Sequence, residues 1–140
     1  FRLPRGLRDE VITEIFQEHF GAEEAFAREL YITWNEAAKM QQAGMVMGGH
    51  TDSHCAISSM AEPEMEVDLT RCRSLLQARL EPQPFWPFSY PYGKRSSFTP
   101  KAVVKLRNLG FDCSFSTEVG TNQPGADPFC IRRVDCKKAF

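Results

Sequence analysis

The sequence predicts an α/β fold with a mainly parallel sheet, and three observations predict it. Helical and extended patterns alternate through most of the 140 residues. The segments have the lengths of right-handed strand–helix–strand crossovers. Hydrophobic residues make up 42% of the chain and include 11 Phe, enough to bury one core in a single domain spanning 1–140.

The amino-terminal region, 1–30, reads as a helical lead-in. Residues 7–20 place Val11, Ile12, Ile15 and Phe16 at helical spacing, and residues 22–30 resume a helix-favouring pattern after Gly21. The motif-bearing region, 31–135, follows. Thr33 with Glu36 forms a capping-box pattern that opens a helix running to Gln42, and Gly44 stands where a left-handed residue closes it. Met45, Val46 and Met47 predict a short buried strand leading into Gly48 and Gly49, where the backbone can bend sharply.

From Met65, the residues Leu69, Cys72, Leu76 and Leu80 recur at three- and four-residue steps, which predicts an amphipathic helix over 63–80. Pro63 suits its first turn, and Pro82 and Pro84 end it. Residues 85–90 are aromatic and extended, with Pro87 implying an edge or a bulge. Thr99 and Pro100 open another helix that carries Val103, Leu106 and Leu109 on one face and stops at Gly110. A strand over 111–116, a turn-rich stretch over 120–128 and a last strand over 129–134 complete the pattern.

Charge and cysteine content narrow the function. With 17 Lys+Arg against 18 Asp+Glu the net charge is −1, so no excess of positive charge exists to neutralise a nucleic-acid backbone or an anionic membrane. No apolar run reaches the roughly 18–20 residues of a membrane span. The five cysteines, Cys55, Cys72, Cys113, Cys130 and Cys136, form an odd set without a C-x-x-C pair, against a four-thiolate zinc site or a fully bridged framework. Free thiols point weakly to a cytoplasmic setting, although one or two bridges in a secreted or cell-envelope protein would leave the same count.

Two segments carry candidate chemistry, each at the carboxyl end of an expected strand, where parallel α/β folds collect reactive groups. The first is Gly48-Gly49-His50-Thr51-Asp52-Ser53-His54. If this loop enters a helical turn, His50 and His54 share a face, and neutral imidazole is the commonest ligand for a catalytic divalent metal. Two surface histidines that merely lie close in sequence would give the same pattern. The second is Phe88-Ser89-Tyr90-Pro91-Tyr92-Gly93. A proline-fixed loop ending in glycine can aim a backbone N–H into a cleft, and it can equally be an aromatic turn.

Together and in this order the two segments resemble the NodB-homology polysaccharide deacetylases, carbohydrate esterase family four. His50, Thr51 and His54 match its H-[S/T]-x-x-H motif, and Phe88, Tyr90, Pro91, Tyr92 and Gly93 match the loop written F-x-Y-P-Y-G. The flanks around Thr33 to Gly44, Asn108 to Phe111 and Ile131 to Asp135 are similar as well, so the likeness covers about 31–135. The resemblance implies a partial deformed (β/α) barrel that hydrolyses the acetamido group of an N-acetylhexosamine-containing polysaccharide with a divalent metal, zinc foremost. It assigns His50 and His54 to the metal, the Tyr92 backbone N–H to the oxyanion, Tyr90 and Pro91 to substrate, and Thr51 to bracing the histidine loop; Arg133, at the end of the last expected strand, can reach the site to bind substrate or can form a salt bridge instead.

The chain departs from the family pattern in three places. No T-F-D-D motif, source of a metal-ligand Asp and a base Asp, precedes His50; no histidine follows His54; and Ser89 stands where the arginine of R-x-P-Y would be. The expectation is a truncated barrel, weak or inactive alone, with an amino-terminal segment or a second copy covering its open edge. Asp52 and Asp135 are then candidate compensating carboxylates, and His19 is a helix-end residue. The competing readings are a non-catalytic carbohydrate-binding module, with Tyr90, Tyr92, Trp86 and Phe88 stacking on sugar rings, and a structural domain whose histidines bind no metal.

Overall fold

The computed structural model describes residues 5–134, which places Asp135 and Cys136 outside the described residues. The chain falls into two compact units that meet in sequence between Ala37 and Ala38. The first holds α1 (Arg5–Phe20), α2 (Glu23–Leu30) and the start of α3 (Trp34–Gln42). Its packing centres on Phe16, Phe20 and Phe26, with ring centroids 5.1–5.2 Å apart. The capping box forms as the sequence predicts: the Thr33 N–H and hydroxyl both donate to Glu36 Oε2, and the Glu36 N–H donates back to Thr33 Oγ1. Gly44, beyond the end of α3, takes the left-handed conformation at φ 93°.

The second unit contains α4 (Glu62–Arg79), β1 (Pro87–Ser89), α5 (Pro100–Asn108), β2 (Cys113–Val119) and β3 (Ile131–Arg133). The three strands form one sheet in the order β1-β2-β3, and both pairings are parallel. Its core is the stripe read from the sequence on α4, with Met65, Leu69, Cys72 and Leu76 buried, joined by Phe88, Ala102, Leu106 and Phe111. Each large side chain so buried contributes about 1.5–3 kcal/mol. Arg73 ties α4 to the rest: its Nε donates to the Leu109 carbonyl, and its guanidinium lies 4.3 Å from the Trp86 ring centroid. Burial lowers the pKa of this arginine. No described helix is long and apolar enough to cross a membrane.

The strand expected at Met45, Val46 and Met47 does not form. Met45 and Val46 are exposed, and the Met47 N–H and carbonyl are both taken by the side-chain amide of Gln83. One glutamine thus occupies the hydrogen-bonding groups a neighbouring strand would have used. Sheet pairing is reached only at Gly49, in a single parallel bridge to Phe88. Elsewhere the differences are of extent. β2 runs three residues past the expected end at Ser116, and a 3₁₀ turn at Pro128–Cys130 shortens β3 at its start.

Candidate functional site

The bridge at Gly49 sets the site. Gly49 N–H donates to the Pro87 carbonyl at 2.9 Å, and Ser89 N–H donates to the Gly49 carbonyl at 2.8 Å, which lays the histidine segment along the free edge of β1. Side chains would obstruct this approach. A Cβ at Gly48 would lie 2.8 Å from the Pro87 carbonyl oxygen, and one at Gly49 would lie 2.8 Å from Phe88 and 2.9 Å from Phe111.

Past the bridge, the loop reverses without becoming helical. Thr51 and His54 both take left-handed conformations, at φ 63° and 54°, which non-glycine residues adopt only where the surroundings impose it. What imposes it is Asp68. This buried carboxylate on α4 accepts the Asp52 N–H at 2.9 Å on one oxygen and the Ser53 N–H at 3.0 Å on the other. One turn along, the buried Cys72 thiol lies under the same loop. Burial raises its pKa, while the backbone N–H groups of His50 and Thr51 pull the other way.

The outcome is that the His50 and His54 ring centroids stand 4.8 Å apart, edge to face. His50 Nδ1 lies 2.6 Å from the Ser89 carbonyl. A carbonyl can only accept, so Nδ1 carries a proton, and in the neutral ring that leaves the Nε2 lone pair to a metal, the arrangement that orients a metal-binding histidine. The two rings fit as part of a ligand set and do not complete one: among the described residues no cluster of three His, Cys, Asp or Glu side chains is placed to hold an ion. Asp52, a candidate compensating carboxylate, pairs instead with Arg71 at 3.1 Å.

The second loop is built on buried side chains. Tyr90 is 1% exposed, stacks on Phe98 at 3.8 Å, donates its hydroxyl to the Phe129 carbonyl and accepts from Ser114. Burial pushes its pKa up to about 12, against the lowering effect of the Ser114 hydrogen bond. Pro91 is buried with it. Neither side chain lines the cavities among the described residues, so the contact with substrate expected of Tyr90 and Pro91 would have to come through their backbone or through a surface outside them. The stacking set of the binding-module reading shrinks in the same way, because Trp86 and Phe88 are also buried and only Tyr92, 63% exposed, remains.

Tyr92 sits at φ 62°, with its ring 5.7 Å from that of His54 and its carbonyl accepting from Thr117 Oγ1. Its backbone N–H pairs with no acceptor among the described residues. Gly93 makes the turn possible: a Cβ there would fall 2.6 Å from the Thr117 backbone nitrogen. Arg133 lines the same groove as His50, a cavity of 480 Å³ that also includes Val46, Ser89 and Phe115, and its Nε donates to the Ser116 carbonyl. The Thr51 hydroxyl is buried without a hydrogen-bond partner among the described residues, and the loop is braced there by Asp68. His19 donates Nδ1–H to the Ile15 carbonyl in the last turn of α1, as a helix-end residue does.

Asp68 and Gln83 were missed by sequence reading. For Asp68 a signal exists: it lies between Met65 and Cys72 on the buried stripe, and a carboxylate on an apolar stripe needs a donor to satisfy it.

The sequence profile of the polysaccharide deacetylases matches residues 2–113. The chain belongs to the polysaccharide deacetylase family. Among solved structures, this deacetylase-family chain is similar to a de-N-acetylase from Aggregatibacter actinomycetemcomitans, with a TM-score of 0.59 and 20% identity over 76% of this chain and 49% of that one. It is also similar to IcaB from Ammonifex degensii, with a TM-score of 0.56 and 26% identity over 73% of this chain and 46% of that one. It therefore spans about half the length of each. These likenesses agree with a partial (β/α) barrel of parallel strands. No curated protein matches the chain.

Proposed function

We propose that this chain is the histidine-bearing part of a deacetylase that removes acetyl groups from an N-acetylhexosamine-containing polysaccharide, with a divalent metal, zinc foremost, held between His50 and His54. The observation that carries the reading is the pair of rings 4.8 Å apart, with the proton of His50 fixed on Nδ1 by the Ser89 carbonyl. When bound, a divalent ion supplies a water acidified to a pKa near 7 and polarises the acetyl carbonyl. The residues of the chain do the rest. Asp68 holds the loop that presents both rings, and the Tyr92 N–H, which has no acceptor among the described residues, would stabilise an oxyanion. Arg133, on the His50 groove, is the residue of this set whose side chain can contact sugar.

Two imidazoles fall short of the three protein ligands usual at catalytic zinc. We infer that further donors, and the catalytic base, come from outside the described residues, from another segment of a longer barrel or from a second copy, and that the chain alone is weak or inactive. In this reading 1–30 is a lead-in to the motif-bearing region 31–135. The binding-module alternative is left with Tyr92 as its stacking surface.

Zinc titration of the chain and of its His50→Ala and His54→Ala variants tests the proposal, together with acetate release from N-acetylated oligosaccharides. Each substitution should weaken zinc binding by about tenfold or more. Equal affinity in all three proteins would remove the site.

A further inference from the structure

Side chains alternate across β2, and its two faces line different cavities. Phe115 lines the histidine groove; Ser116 and Glu118 line a second cavity of 690 Å³, which shares no lining residue with the first. Successive residues of β3 divide in the same way, Arg133 to the histidine groove and Arg132 to the second cavity.

Two guanidinium groups line this second cavity, Arg95 and Arg132, and both are positioned by backbone hydrogen bonds and a ring contact. The Arg95 backbone N–H donates to Glu118 Oε1 at 3.0 Å, and its guanidinium lies 5.0 Å from the Phe98 ring centroid. Arg132 is clamped by Asn122, whose Oδ1 accepts the Arg132 N–H at 2.9 Å and whose Nδ2 donates to the Arg132 carbonyl at 3.0 Å. Its side chain crosses Gly120 at φ 149°, where a Cβ would come within 3.1 Å of Arg132 Cδ. Two carboxylates share the wall, and of the two only Asp127 forms an ion pair among the described residues. Asp127 pairs with Arg107 at 2.7 Å and accepts the Phe129 N–H, and Glu118 accepts the Arg95 N–H. Among the described residues, no carboxylate pairs with the guanidinium of Arg95 or Arg132.

We propose that this cavity is an oxyanion-binding site, in which Arg95 and Arg132 take a carboxylate or phosphate group carried by a sugar-sized molecule. Planar guanidinium groups pair with such anions through two parallel hydrogen bonds. The volume lies within the roughly 300–1,000 Å³ of small-molecule sites. The anion has two chemical sources, an acidic unit of a polysaccharide and a free phosphorylated small molecule. The site does not depend on the histidines, and it stands or falls apart from the deacetylase reading.

Calorimetric titration at fixed ionic strength tests it, with an oligosaccharide of uronic acids and inorganic phosphate as probes and a neutral oligosaccharide of the same length as control. At least one anionic probe should bind and the neutral one should not. Tighter binding of the uronate oligomer would identify the polysaccharide source, and tighter binding of phosphate the free one. Arg95→Gln and Arg132→Gln should each weaken the anion by about tenfold, while His50→Ala leaves it unchanged. Absence of binding by both anions, or affinity unchanged in both arginine variants, would overturn the proposal.

Discussion

The two loops that meet at the site are held by opposite means. The Tyr92 loop continues directly from β1 and is anchored by its own buried side chains, Tyr90 and Pro91, with Gly93 fitted against β2. The histidine loop has one backbone bridge to the sheet and takes its shape from Asp68, a residue of α4 that follows it in sequence. A loop anchored by its own side chains depends on core packing; a loop anchored from a distance depends on one carboxylate. The first should fail as a stability defect, the second as a loss of site geometry while the fold survives.

The largest effect that separates them is expected at Gly93. Gly93→Ala puts a Cβ against the Thr117 backbone in a left-handed conformation and should cost more than about 3 kcal/mol, measured by denaturant unfolding. An effect below 1 kcal/mol would show that the Tyr92 loop is not wedged against β2. Asp68→Ala strands two loop N–H groups and should cost about 2 kcal/mol. Its more telling result is zinc affinity, which should fall to the level of His50→Ala although neither histidine is touched. Retained affinity would mean that the loop holds its shape without α4.

Tyr90→Phe should cost about 1 kcal/mol by deleting the hydroxyl that bonds Phe129 and Ser114. Its pH dependence is diagnostic. Because burial raises the Tyr90 pKa from 10.0 to about 12, the neutral phenol favours the folded chain. That contribution is fully present below pH 10 and is lost as pH rises through about 12. The phenylalanine variant should therefore lose less stability than the parent between those values. The smallest effect belongs to Thr51→Val, which removes a buried hydroxyl without a partner and should be neutral or stabilising by up to about 1 kcal/mol in thermal unfolding. A clear loss would restore a bracing role to that hydroxyl.

The same contrast explains what could be read from the sequence. The α4 stripe and the caps at Thr33 and Thr99 were legible because each is a local pattern with a fixed period or offset, and all formed. The strand at Met45 to Met47 was misread because three apolar residues carry no sign that Gln83 will take their backbone partners. The histidines were placed together for a reason the structure replaces. A helical turn was expected, and two left-handed residues held by Asp68 do the work. Aromatic residues at the second loop suggested a stacking surface, but Phe88 and Tyr90 are buried in the core, and Tyr92, in a left-handed turn at φ 62° past the end of β1, is the one left exposed. Motif spacing thus singled out the candidate residues, whereas their arrangement came from long-range contacts that one sequence does not display.

The central claim is that two imidazoles converge on one cation, and a crystal structure of the chain grown with zinc, using anomalous scattering to place the metal, tests it most directly. The account predicts one ion bound by both His50 and His54 at about 2.0–2.1 Å, with the Ser89 carbonyl still bonded to His50 Nδ1. Zinc on only one ring, or rings turned apart with Asp68 still holding the loop, would contradict it.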